Sequence, residues 1–439
     1  MNTVATRDAR PEIERSTIRT ISLRLLPFLI VAYLIAYIDR SNVGFASLQM
    51  NDDIGLSASQ FGLGASIFFI AYVVFEVPSN LIMDKVGARL WIARIMITWG
   101  LVAAGMALVT GPMSFGIARF LLGAAEAGFF PGVILYLTFW FPPSYRARVL
   151  ALFSMAIPLS SVLGSPVSGH LLGLDGLLGL RGWQWLFIIE GIPATVLGIA
   201  ALFVLPSRPR DAKWLGAAQL AWLEREMKAQ ERHVADDHVP LVKILMSKKI
   251  LVLSLVYAST AVLSQGLSLW QPQMIKSFGL SNSAIGWLNA LPFAVAVIAM
   301  LIWGRISDRK AERVKSTVLP IVVAAVGLAV IPLVVSLPVF LIVVSVVLAG
   351  TYAAKGPFWS LATEWMSRRE AVAGVAMVNA LGSLAAFGGN WVIGAIKDHT
   401  GSFALAMTPM LVLTVICIVT LLIAAHHQRR TQTVPTQTP

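Results

Sequence analysis

Residues 25–46 read LLPFLIVAYLIAYIDRSNVGFA, an apolar run whose only charges are Asp39 and Arg40. At 1.5 Å per helical residue, a run of about 20 residues crosses the roughly 30 Å hydrocarbon core of a bilayer. It is continuous rather than alternating, so it reads as a helix and not as a barrel strand. Similar runs recur along nearly all of the 439 residues. The chain is 57% hydrophobic and only 13% charged, with a mean hydropathy of +0.77. Soluble domains carry about 25% charged residues, so this composition excludes one. The fold class that follows is an all-α polytopic membrane protein. A charge at the centre of a membrane helix costs about 2.5–3.5 kcal/mol on insertion scales. Asp39-Arg40 is therefore the first pointer to function, because such residues face a cavity or a partner and mark a substrate or ion route.

Twelve spans are expected, near 22–48, 57–82, 89–110, 113–140, 146–172, 183–205, 249–275, 282–304, 315–335, 338–364, 371–396 and 402–426. An even number puts both termini on one side. Of the 34 Lys and Arg, Arg40, Arg119 and Lys355 lie deep within spans. Arg181, Lys276 and Lys397 fall at connections on one side. The other 28 lie at the termini, at the alternate connections and at the span ends beside them. Basic residues accumulate in cytoplasmic loops, so both termini are expected in the cytoplasm. The same rule accounts for the net charge of +12 without nucleic acid. The single cysteine, Cys417, excludes an intrachain disulfide or a Cys-based metal site. His426-His427, beside Arg429-Arg430, read as interfacial anchors rather than ligands. The run after the polar N-terminus is longer than a signal-peptide core and is expected to be retained.

A polar insert, 206–248, divides the chain into bundles at 1–205 and 249–439, each with six spans. Its stretch Trp222–Lys228 has helical i,i+4 charge spacing and reads as a surface amphipathic helix. The halves repeat. GLSASQFG at 55–62 returns as GLSNSAIG at 279–286, an offset of 224. Asp84 falls on Asp308 at the same offset, and Trp140 before a basic loop parallels Trp365 before Arg368-Arg369. Parallel six-span repeats related by an axis along the membrane normal are a transporter plan, with the substrate near the midplane between halves.

Between the second and third spans stands NLIMDKVGAR (80–89), and between the eighth and ninth stands GRISDRKAER (304–313). Each puts an acid at a helix end before a short basic turn, which Gly87 permits in the first copy. Asp84, Gly87, Arg89, Asp308 and Arg309 are candidates for a conformational gate, the acids pairing with arginine or with a helix N-terminus. The loop resembles the signature of the major facilitator superfamily, with Asn80 where the family usually has Gly. YIDRSNVG (37–44), FEVPSN (75–80) and RFLLGAAEAGFFPG (119–132) further resemble its anion:cation symporter family, which includes sialin-like, galactonate, tartrate and aromatic-acid carriers. The texture of the first six spans is most similar to bacterial tartrate and aromatic-acid permeases.

Arg119 and Glu126 are seven apart, so both project from one helix face two turns apart. Facing the first span, this stripe would meet Asp39-Arg40, and the four charges sum to zero. At the repeat offset their counterparts are Leu263, Ser264, Val343 and Gly350. A need of the architecture would recur in both halves; a task assigned to one half would not. A buried carboxylate favours its neutral form and a nearby Arg its ionised form. Asp39 and Glu126 are thus candidates for proton coupling, with Arg119 holding one of them ionised. Arg40 offers a planar fork that matches a carboxylate and is the candidate substrate clamp. The resemblance implies the same assignments. Lys355, a second cation in the other half, is a candidate substrate contact. Tyr37, Tyr72, Trp359 and Asn379 match cavity-lining positions of family members. Glu76 reads as a gate or structural hydrogen bond, and Glu190 and Glu364 as interfacial residues near span ends.

The function expected is a secondary active transporter, a proton-coupled symporter of small organic anions such as tartrate-like hydroxy acids or aromatic acids, working by alternating access. The expected partners are the organic anion, protons and lipid, with no cofactor beyond the coupling proton and no metal. A monomer in a bacterial inner membrane is expected. An exchanger or uniporter would use the same pocket without net proton movement. A transporter-like ligand receptor would bind without moving its ligand. No phosphate loop, metal cluster or nucleophile–base spacing points to an enzyme.

Overall fold

The computed structural model describes residues 9–231, 247–310, 312–366 and 368–432. Among them twelve helices are long and apolar enough to cross a membrane: α1 (Glu12–Asp53), α2 (Ala58–Val86), α3 (Ala88–Leu108), α4 (Pro112–Trp140), α5 (Leu152–Leu174), α6 (Gly182–Val204), α7 (Lys248–Lys276), α8 (Asn282–Lys310), α9 (Arg313–Leu333), α10 (Leu337–Trp365), α11 (Gly374–Thr400) and α12 (Phe403–His427). No strand occurs among the described residues. The spans match the apolar runs except that α1 begins about ten residues early. Its first turns carry charge but bury Thr17 and Ile21, so the helix outruns the hydrocarbon run that announces it.

The repeated motif has a local cause. Ser57 caps α2 with its hydroxyl on the Gln60 N–H, while the Gln60 side chain returns to the Ser57 N–H. Its counterpart Ser281 accepts from the Ala284 N–H at the start of α8. Each thus satisfies an N–H that the first helical turn leaves free. Packing repeats as well. α1 packs on α5 and α6, α2 on α4, and α3 on α6. Six helices later, α7 packs on α11 and α12, α8 on α10, and α9 on α12. The outward faces carry Val77, Ile117, Val196, Ile298, Ile342 and Val419, exposed as a lipid-facing surface requires.

The two halves meet through α1 with α7, α2 with α11, and α5 with α8. The close contacts between them lie at the end of the molecule opposite the termini, the distal end. Gly394 seats against the Ala58 carbonyl, and Gly169 and Gly286 face one another, so that a Cβ on any of them would fall within 2.8 Å of backbone. Small residues let helices approach in this way. Hydrogen bonds cross the same seam from Gln273 to Ser47 (2.8 Å) and from Asn289 to Ser165 (2.8 Å).

Residues beyond α6 dock on the first half. Tyr136 Oη donates to the Pro206 carbonyl at 2.9 Å, Arg208 lies over Phe139, and Trp214 stacks on Trp140. The surface helix Ala217–Glu231 buries Leu223 and pairs Glu224 with Arg210. Residues 232–246 of the expected insert lie outside the described residues.

Candidate functional site

The site begins with a break in α4. Pro131 has no N–H to give, and its ring would strike the carbonyl four residues back, at Ala127. The helix stops after Glu126, Ala127 turns extended, and helix resumes at Phe129. Gly128 bridges the gap at φ +87°, where a Cβ would lie 2.3 Å from Ser79 Oγ. Both its dihedral and its surroundings therefore demand glycine. Broken backbone at membrane depth is tolerated where protein buries it. Here it leaves Glu126 fully buried at the end of a half-helix.

Glu126 faces Arg40. Arg40 Nε donates to Glu126 Oε1 at 2.7 Å and Nη2 lies 2.6 Å from the same oxygen. The rings of Tyr37, Phe68 and Tyr72 surround the guanidinium, with centroids 4.9, 5.3 and 5.0 Å from Cζ. Arg40 is 13% exposed. Asp39 points elsewhere: its Oδ2 accepts from Trp99 Nε1 at 2.5 Å, and its buried Oδ1 has no partner.

Arg119 is placed differently from expectation. It pairs with neither acid. Nε and Nη2 donate to the Ala65 carbonyl at 3.1 and 2.8 Å, and Nη1 is buried without a partner. The seven-residue spacing does put it on the face of Glu126, but Arg40 reaches that carboxylate first. Phe68 lies under both guanidinium groups, 5.0 Å from that of Arg119. A small pocket joins Arg40 and Arg119 to Gln265, Ser268 and Asn390 of the other half.

The second half supplies a cation of its own. Lys355 Nζ donates to Ser264 Oγ at 3.1 Å and sits 4.3 Å from the Tyr352 ring. Ser264 is the repeat counterpart of Arg40, so Lys355 brings a positive charge to the pseudo-symmetric position from a different helix. Asn379 and Trp359 are joined through Tyr257, whose hydroxyl donates to Asn379 Oδ1 at 3.3 Å and whose ring lies 5.2 Å from Trp359.

The loop residues lie outside the centre. Asp84, Arg89 and Arg309 are exposed and make no hydrogen bond or ion pair among the described residues. Gly87 turns the chain at φ +96°. Asp308 pairs with Arg313 at 3.1 Å rather than with its neighbour Arg309, because Arg313 opens α9 and folds back over the end of α8. Arg313 also reaches the exposed Glu364 at 3.3 Å.

The family model for the Major Facilitator Superfamily matches residues 29–390 and again 253–437. The chain belongs to the Major Facilitator Superfamily. As a member it is a membrane transporter and not an enzyme. It is 49% identical over 392 residues to a protein of Agrobacterium vitis named "Putative tartrate transporter", covering 89% of this chain and 87% of that one. It is 38% identical over 432 residues to the "Quinolone resistance transporter" of Acinetobacter baumannii, covering 98% and 100%. The fold is similar to the crystal structure of a bacterial homologue of the human lysosomal transporter Spinster, inward-facing and occupied, with TM-score 0.74, 18% identity, and 92% and 96% of the chains covered.

Three residues are ones that the sequence does not single out. Phe68 and Asn390 are ordinary residues in apolar runs, and only the packing of other helices brings them to the pocket. Glu190 is the third. It is not interfacial: it is 6% exposed within α6 and accepts from Ser168 Oγ at 2.7 Å. An acid eight residues inside a span is the available signal.

Proposed function

We propose that this transporter is a proton-coupled symporter of small organic anions. The observation that carries the reading is the Arg40–Glu126 pair beside a pocket that also holds Arg119, whose Nη1 has no partner. While Glu126 is ionised it occupies Arg40. A substrate carboxylate competes for the same guanidinium, and a proton on Glu126 releases it. Anion binding and proton binding therefore favour one another, which is the linkage a symporter needs. Arg119 presents its free Nη1 as a second donor, in place of the holding role that its spacing suggests. Asn390 and Gln265 offer donors from the other half, and Lys355, on Ser264, adds a cation to that half. Two or more cations on opposite halves suit a dicarboxylate, and the tartrate-named relative supports that class.

Closure of the distal seam gives one of the two states of alternating access. With the termini in the cytoplasm of a bacterium, this is the inward-facing state, and import runs from the distal side to the terminal side. Asp39 is a second proton site, held by Trp99 outside the competition for Arg40.

The test is uptake of labelled tartrate, and of a monocarboxylate for comparison, by proteoliposomes carrying the purified protein. An imposed pH gradient is expected to drive accumulation above equilibrium, with dissipation of the gradient abolishing it. Counterflow that persists while the gradient has no effect would select an exchanger instead.

A further inference from the structure

We infer that Glu190 is a third proton site of this transporter, a stepping stone between the distal face and Asp39 that runs behind the central pocket. The inference rests on the reading of Asp39 as a proton site.

Glu190 lies within α6, eight residues from its distal end, and does not line the pocket of Arg40 and Arg119. One oxygen accepts from Ser168 on α5; the other, Oε2, is buried without a partner. α1 runs antiparallel to α6, the two joined near their distal ends where Trp183 Nε1 donates to Asp53 Oδ2 at 2.8 Å, and deeper along α1 the Asn42 Oδ1 is also buried and unpartnered. One turn along the same helix stands Asp39, with Oδ1 in the same condition. Three buried acceptors thus follow one another from α6 to α1, on residues 6%, 1% and 1% exposed.

The neighbours isolate the pair. α3 meets α6 there through glycine and alanine: a Cβ on Gly191 would lie 2.6 Å from the Ala104 N–H nitrogen and 3.0 Å from the Gly100 carbonyl. The end of α3 offers the Ala107 carbonyl, which accepts from Gln184. α5 presents the Ser168 hydroxyl, and its His170 turns to Ser283 of α8.

Isolated buried acceptors cost free energy, and a carboxylate inside a membrane bundle marks an ion or proton route more often than a joint. A serine and an asparagine would join α1, α5 and α6 without an acid. The acid adds the capacity to carry a proton. Glu190 lies between the distal end of the bundle and Asp39, so a proton from that side passes to the Glu190 carboxyl and from there to the Asp39 carboxylate. The pocket is left free for substrate.

The experiment is an infrared titration of carboxyl groups in purified full-length protein, wild type against E190Q and D39N. E190Q is expected to remove one titrating component. It is also expected to move the midpoint of the component that D39N identifies by about one pH unit, a tenfold change in that proton equilibrium. Superimposable titrations of wild type and E190Q overturn the inference. If E190Q lowers stability, S168A keeps the carboxyl and removes its donor. A shifted Glu190 component then supports the proposal, and an unmoved one overturns it. No substrate is needed, so the outcome is independent of substrate class. In proteoliposomes with labelled tartrate, a pH-insensitive wild type would defeat the symport reading. A pH-driven wild type with an equally pH-driven E190Q would defeat the stepping stone alone.

Discussion

Arg40 closes on Glu126 at 2.6 Å, while Asp39, its neighbour in the chain, turns to the indole of Trp99. Successive residues on a helix point about 100° apart, so α1 delivers one charge to α4 and the other to α3. The two acids thereby have different partners. Only Glu126 shares a guanidinium with the pocket. Asp39 is held by a donor that does not line the pocket.

Substitution of Glu126 by glutamine keeps size and polarity but leaves Arg40 permanently released. Gradient-driven accumulation is expected to fall to equilibrium level while counterflow persists, measured on the same proteoliposomes. Full concentrative uptake by E126Q would defeat the competition model. Removing one partner outright is a different matter: E126A or R40A strands a buried charge, at about 3–5 kcal/mol. Denaturation in detergent measures that loss.

Lys355 is expected to behave in the opposite way. Among the described residues it has a hydroxyl and a ring as partners and no carboxylate. A buried charge without an opposite charge costs folding free energy, so K355M is expected to leave thermal stability unchanged or raised. Anion affinity is expected to fall about tenfold, or roughly 1.4 kcal/mol. Ligand-dependent thermal shifts with tartrate separate the two effects. A strongly destabilised K355M protein would make the lysine a packing residue.

Gly128 tests the broken helix. Alanine there meets a left-handed dihedral, at about 1–2 kcal/mol, and an overlap with Ser79 worth about 1–3 kcal/mol more. G128A is expected to unfold at lower temperature. S79G is expected to restore part of the loss in the double variant, because it relieves the overlap and not the dihedral. Equal stability of G128A and wild type would show that the break is not fixed by this contact.

Much of this site is legible in the order of residues alone. The cost of Asp39-Arg40 in an apolar run, and the absence of its charges at the repeat offset, single out Asp39, Arg40, Arg119 and Glu126. Spacing gives the shared face of Arg119 and Glu126. It does not give the partner, because which side chain reaches Glu126 depends on the rotation of α1 against α4. That rotation leaves Arg119 to the Ala65 carbonyl. The Ser57 cap is visible as a motif, whereas the α4 break needs Pro131 and Gly128 read together with Ser79 on another helix. Asn390 and Phe68 carry no local mark at all. Glu190 carries one, and proximity to an expected span end obscures it.

Asp398 gives the last prediction. Its two carboxylate oxygens accept from the N–H groups of Ala58 and Ser59, each at 2.8 Å. An acid at the end of α11 thus caps the first turn of α2 in the opposite half, where the helix dipole favours negative charge. The bonds span the seam, so opening of the distal end would break them. Because the residue is exposed, its worth is about 1 kcal/mol, roughly a fivefold change in the ratio of closed to open states. D398A is expected to enlarge the distally open population by that factor. Spin labels at Leu178 and Val335, exposed distal sites on the two halves, would report it as a longer distance component. Buried Cys417 leaves the labels unambiguous. If the distance distribution of D398A matches that of wild type, the carboxylate caps α2 without biasing the seam.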